Sequence, residues 1–178
     1  MIYFDIDGVV RNFWGKHLKQ PPTHWDDFPE NFFEKVNANK EEYFLNAPTF
    51  ENVVRLVNRL PEHINITFLT NQGGDEEKEY FTVEFLKKYI TKNHQVEFVK
   101  NFDEKVERIK SVKLIDDYPF FYQNSNFSNV RDNLILMCRE WNVGERKHYR
   151  YLLNPKTLTI IDKDSGLEED LETFILTM

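Results

Sequence analysis

The chain has one cysteine, Cys138, so no internal disulfide can form. A reducing compartment is the simplest setting for such a chain, and Cys138, inside the apolar run 134–138, is expected to pack in the core. No apolar run approaches the ~20 residues a membrane-spanning helix needs. The first apolar segment begins at Met1 and leaves no room for a signal peptide. A cytoplasmic protein without a membrane partner is therefore expected. Positive charge is also scarce, since 23 Lys and Arg against 30 Asp and Glu leave a formal charge of −7. General binding along a nucleic-acid backbone needs a basic face and is not expected, although a local basic pocket is compatible with this balance. The five histidines, His17, His24, His63, His94 and His148, include no pair at a metal-ligand spacing such as H-E-x-x-H and read as surface residues. There is no internal repeat. At 178 residues the chain suits one domain, with or without a small insertion, large enough to cover both faces of a sheet.

What the sequence does contain is a short apolar run that ends abruptly in charge: Ile2-Tyr3-Phe4-Asp5-Ile6-Asp7-Gly8-Val9-Val10. The branched and aromatic residues read as a buried strand. Side chains two apart on extended backbone point the same way, which puts Asp5 and Asp7 together at the strand's C-terminal end. Gly8 tolerates the positive φ of a sharp turn there. Two close anions repel unless a cation or proton intervenes, and Mg²⁺ suits one or two carboxylates plus water and phosphate. The plain alternative is an Asp pair in an ordinary turn.

The rest of the chain alternates strand and helix patterns. Residues 11–47 form a polar segment with scattered aromatics, broken by Pro21-Pro22 and Pro29, and read as a small helical insertion with a helix starting near Pro29. Residues 49–60 have helical periodicity, with Thr49 as the expected N-cap and Pro61 as the stop. A strand over 64–70 runs into Thr70-Asn71-Gln72-Gly73-Gly74, and Asp75 caps a helix over about 76–91. Further strands are expected over 96–99, 112–117 and 133–138, with a short helix or turn over 103–110. The tail reads as a hairpin of 149–153 with 157–161, then a helix over 167–176. Alternating elements imply parallel βαβ units in a doubly wound α/β sheet, which binds ligands outside the carboxyl ends of its strands. Asp5 and Asp7, Thr70, and Asp116 and Asp117 all fall at such ends, a convergence that packing alone does not explain.

Asp5-Ile6-Asp7-Gly8-Val9-Val10, Leu69-Thr70-Asn71-Gln72, a lysine, and Leu114-Ile115-Asp116-Asp117-Tyr118-Pro119 resemble the four ordered motifs of the haloacid dehalogenase (HAD) superfamily of phosphohydrolases. The likeness spans residues 1 to about 142. The I-D-D-x-P form, the insertion after the first motif and Trp141-Asn142 resemble the 5′(3′)-deoxyribonucleotidase branch. The Thr-Asn-Gln form is closer to the phosphatase domains of polynucleotide kinase and histidinol-phosphate phosphatase. The resemblance implies a Rossmann-like catalytic core over 1–10 and 48–178 with a helical cap over 11–47. It also implies a Mg²⁺-dependent phosphatase with Asp5 as nucleophile and Asp7 as general acid and base. Mg²⁺ would be held by Asp5, the Asp7 carbonyl, Asp116 and Asp117, and phosphate by Thr70, Asn71 and a lysine. Lys105 has the family spacing, and Lys100, directly after a strand, is the alternative. A nucleoside monophosphate is the expected small-molecule substrate. Phe13, Trp14, Trp25 and Phe28 would either stack on its base or form the cap's own core. A sugar-phosphate or nucleic-acid-end phosphatase, and a non-catalytic metal- or phosphate-binding module, remain the alternatives.

Overall fold

Alternation along each strand builds this molecule outward from its sheet. In β1 (Ile2–Phe4), Ile2 and Phe4 face one core cluster and Tyr3 the other. The same split runs through β2 (Ile66–Thr70), β4 (Lys113–Asp116) and β5 (Leu134–Met137), where Phe68, Ile115 and Ile135 join one cluster and Leu69, Leu114 and Leu134 the other. Strands buried on both faces need helices on both, which is the doubly wound arrangement. The computed structural model describes residues 1–15, 18, 22–25 and 27–178. His17 and Pro21 lie outside these.

With β3 (Gln95–Phe98), β6 (Tyr151–Leu153), β7 (Thr159–Asp162) and β8 (Leu167–Asp170), the sheet has eight strands in the order β3-β2-β1-β4-β5-β6-β7-β8. The first six pair in parallel, and β7 and β8 are antiparallel. β1 lies between β2 and β4, so the chain's winding reverses direction there. The carboxyl ends of β1 and β4 flank the resulting crevice.

The helices are α1 (Phe32–Ala38), a π-helix over Glu41–Leu45, α2 (Glu51–Arg59), α3 (Glu76–Tyr89), α4 (Phe102–Arg108), the single turn α5 (Phe127–Val130) and α6 (Leu171–Thr177). No helix among the described residues is long and apolar enough to cross a membrane. Two local expectations fail for identifiable reasons. Thr49 does not cap α2, because its backbone bridges to Arg11 and Phe50 takes the cap position. Residues 167–170 are strand instead of helix. The chain turns at Gly166, whose φ is +73°, and the free edge of β7 offers partners in register, Thr159 opposite Asp170. Asp170 then caps α6 by accepting from the Glu172 and Thr173 amides. On α3, Tyr80 is exposed, and Thr82 sits on the buried face between Phe85 and the site.

His24 and His63 are exposed, and His94 and His148 are half-buried, His148 stacked on Tyr122 at 3.8 Å. Cys138 is half-buried instead of packed in the core.

Candidate active site

Three carboxylates meet at the crevice. Asp5 follows β1, Asp116 ends β4, and Asp117 follows it. Each is buried, and each offers an oxygen within 4.8 Å of the others. α4 supplies the counter-charge. The Lys105 ammonium donates to Asp5 Oδ1 at 2.6 Å and lies 2.6 Å from Asp116 Oδ2. Asn101 caps α4 through the Glu104 amide, which fixes the turn from which Lys105 reaches inward. Lys100, the alternative, is exposed, so of the two candidate lysines Lys105 is the one that reaches Asp5.

One ammonium cannot balance three buried carboxylates. Burial pushes the Asp5 carboxyl up to about 8, Lys105 opposing and Asp116 and Asp7 adding to the rise. Burial raises Asp117 well above the usual carboxylate range, and the charges of Asp116 and Asp5 raise it further. Burial works against the Lys105 charge, but Asp116 and Asp5 more than offset it and its pKa is raised. Asp116 Oδ1 accepts from the Tyr118 amide at 2.8 Å, and its Oδ2 is buried against the Lys105 ammonium. Three hard oxygens and excess negative charge form a donor set that fits a divalent cation such as Mg²⁺.

Asp117 is held from behind. Its Oδ2 accepts from Trp141 Nε1 at 2.9 Å, and the fully buried Asn142 donates to its carbonyl at 3.0 Å. Gly8 faces it. Its φ is +81°, and a Cβ there would stand 2.1 Å from Asp117 Oδ2. Gly8→Ala therefore combines a left-handed backbone with a clash against a carboxylate that Trp141 keeps from moving aside. It is expected to lower stability by about 2 kcal/mol and to weaken Mg²⁺ binding, read by urea unfolding with and without the metal. A variant of wild-type stability and metal affinity would show Asp117 free to move.

Asp7 stands apart from the three. A fully buried residue, Arg11, clamps it, with Nε 2.6 Å from Oδ1 and Nη2 2.9 Å from Oδ2, and Gln72 Nε2 donates to Oδ2 at 2.5 Å. Arg11 Nη1 donates onward to the Phe44 carbonyl at 2.7 Å and to Thr82 Oγ1, while Thr82 donates to Gln72 Oε1. The first motif, the second motif, α3 and the π-helix thus meet at one carboxylate. Sequence reasoning passed over Arg11 and quoted Gln72 and Trp141 within motifs without giving either a role. A basic residue closing an apolar turn four positions after Asp7 was the available signal for Arg11.

Thr70, buried, and Asn71 line the same cavity as Asp5, Asp7, Lys105, Asp116 and Asp117, a space of about 440 Å³. Much of its lining is aromatic: Trp14, Trp25, Phe33 and Phe44 from the segment after β1, together with Phe102 and Tyr118, which stack at 3.6 Å. Phe13 and Trp14 are also buried in a cluster with Phe32, Val36, Tyr43, Phe44 and Trp141, so they serve as local core as well as wall. Phe28 packs on Trp14 at 4.9 Å and does not line the cavity. The start of α3 is already engaged, because Gly74 N–H donates to Glu79 and Lys78 N–H to Asp75, so Gly73 and Gly74 form a loop before a capped helix. A scan against protein-family models and a search of curated proteins both return no match for this chain.

Proposed function

We propose that the chain is a Mg²⁺-dependent phosphomonoester hydrolase of the HAD type that forms an aspartyl-phosphate on Asp5. Its preferred substrate is a (deoxy)nucleoside monophosphate, and residues 11–47 act as a small helical cap. The observation that carries this reading is Asp5 at the sheet's crossover crevice, paired at 2.6 Å with Lys105 and within reach of Asp116 and Asp117.

Lys105 holds Asp5 Oδ1, which leaves Oδ2 to attack phosphorus. Asp5 Oδ2 bonds to phosphorus as the ester P–O bond breaks, and Asp7 gives the leaving oxygen its proton. Asp7 then takes a proton from water as that water's oxygen attacks the acyl-phosphate, and free Asp5 and inorganic phosphate result. Arg11 and Gln72 orient Asp7 for both steps. Thr70, Asn71 and Lys105 bind the phosphoryl oxygens, and such pre-set donors supply much of the rate gain. Mg²⁺, held by Asp5, the Asp7 carbonyl, Asp116 and Asp117, supplies positive charge that offsets the repulsion between phosphate and carboxylate. A cavity of about 440 Å³ with an aromatic wall suits a small, flat leaving group and excludes a polymer.

A Mg²⁺-supplemented screen of phosphomonoesters tests this. Deoxynucleoside monophosphates are expected to lead. A preference for sugar phosphates would overturn the substrate and spare the mechanism. One observation favours a second reading: both Asp7 oxygens are already engaged by Arg11 and Gln72. A module with Asp7 permanently locked would bind metal and phosphate yet turn over nothing, and the same screen would then release no phosphate from any ester.

A further inference from the structure

A second cavity, of about 930 Å³, shares no lining residue with the first. Three cations line it, Arg139, Arg146 and Lys156, against one carboxylate, Glu140. That local excess of positive charge stands out on a chain of net charge −7. Arg139 is only partly engaged. Its Nε donates to the Gly8 carbonyl at 2.8 Å and its guanidinium lies 3.7 Å over the Phe50 ring, but Nη2 is buried with no acceptor. Arg146 uses Nη2 on the Arg139 carbonyl at 2.7 Å and Nε on Asn142 at 3.4 Å. The Lys156 side chain is exposed and meets no partner among the described residues. The remaining wall is largely apolar, with Trp141, Leu152 and Ile161.

We propose that this cavity is a second ligand site, for a small organic anion whose oxyanion head sits on Arg139, Arg146 and Lys156 and whose apolar body lies along Trp141 and Leu152. The cations in the cavity's lining outnumber its one carboxylate, and an oxyanion meets them with charge-assisted bonds. Two hydrogen bonds tie the cavity's wall to the active site: Arg139 to the Gly8 carbonyl and Trp141 to Asp117 Oδ2. Occupancy therefore bears on the loop that carries Asp7 and on one of the three clustered carboxylates. The inference holds whether or not the phosphatase reading does, since the ligand would touch none of the residues lining the first cavity.

The test is an NMR titration of the ¹⁵N-labelled full chain, without metal, using phenylphosphonate and benzoate in separate arms. The expected result is saturable movement of the Leu152, Lys156 and Ile161 amides, on a curve distinct from that of Thr70 and Asn71. Tighter binding of phenylphosphonate assigns the site to phosphate esters, and tighter binding of benzoate to carboxylates. In Arg146→Gln/Lys156→Gln the affinity at the second set is expected to fall at least tenfold with the Thr70 and Asn71 curve unchanged. Absence of movement at Leu152, Lys156 and Ile161 up to millimolar ligand, or equal affinity in the double variant, overturns the proposal.

Discussion

Asp5→Asn is expected to lose the proposed phosphatase activity by on the order of 10⁴-fold or more and, in the same protein, to gain stability when no metal is present. The two effects share one cause. Asp5 is buried beside two other carboxylates with a single ammonium among them. Asparagine keeps the shape and can still accept from Lys105 through its amide oxygen, but it cannot attack phosphorus and carries no charge. At a pH above about 8, where the Asp5 carboxyl is ionised in the folded protein, the substitution removes a buried anion that Lys105 must share with Asp116. Urea unfolding in a chelator at such a pH should therefore give Asp5→Asn a higher midpoint than wild type, and Mg²⁺ should narrow the gap. Retained turnover would remove Asp5 from the chemistry. A lower midpoint for the variant would mean that the Asp5 and Lys105 pair is already balanced without a metal.

The sheet was readable because its strands are apolar on both faces and end in polar residues. Ile2 to Phe4 and Leu114 to Asp116 carry that pattern in three residues each, and a slip by one position would turn every side chain to the opposite face of the sheet. The convergence of Asp5, Thr70, Asp116 and Asp117 followed from the same feature, whereas Lys105, on a helix, was pointed to only by the resemblance. What escaped was whatever depends on a partner distant in sequence. The strand over 167–170 exists because β7 presents an edge, and nothing in Leu167-Glu168-Glu169-Asp170 favours strand over helix. Arg11 looks like a surface residue until Asp7, Phe44 and Thr82 surround it. The polar Thr82 at a core position of α3 marks the same network and breaks the helix's apolar pattern, which is where local rules tend to fail at functional sites.

The metal-free protein is expected to lose stability as pH rises, and Lys105→Met to steepen that loss. An Asp in the unfolded chain titrates near 3.9, whereas the folded Asp5 carboxyl is pushed up to about 8 by burial. Between those values the folded state holds a proton that the unfolded state has released. Its contribution is complete below the lower value and gone once pH has risen through the upper one. Asp117, raised in the same direction, adds to the slope. Mg²⁺ competes with these protons, so its stabilising effect should grow across the same window instead of staying constant. Removing the Lys105 ammonium leaves Asp5 and Asp116 without the cation that pairs with both, a change that costs on the order of 3–5 kcal/mol when a buried pair is broken. In a chain of this size that corresponds to roughly 10 °C in Tm. The loss should be largest at the alkaline end and shrink towards acid, where the carboxyls take up protons and no longer need the ammonium. Thermal unfolding of wild type and Lys105→Met across this pH range, in chelator and in saturating Mg²⁺, gives four curves. Parallel wild-type curves with and without Mg²⁺ would mean that the carboxylates around Asp5 neither hold extra protons nor bind the ion. A variant whose deficit is the same at every pH would show that Lys105 contributes packing instead of charge.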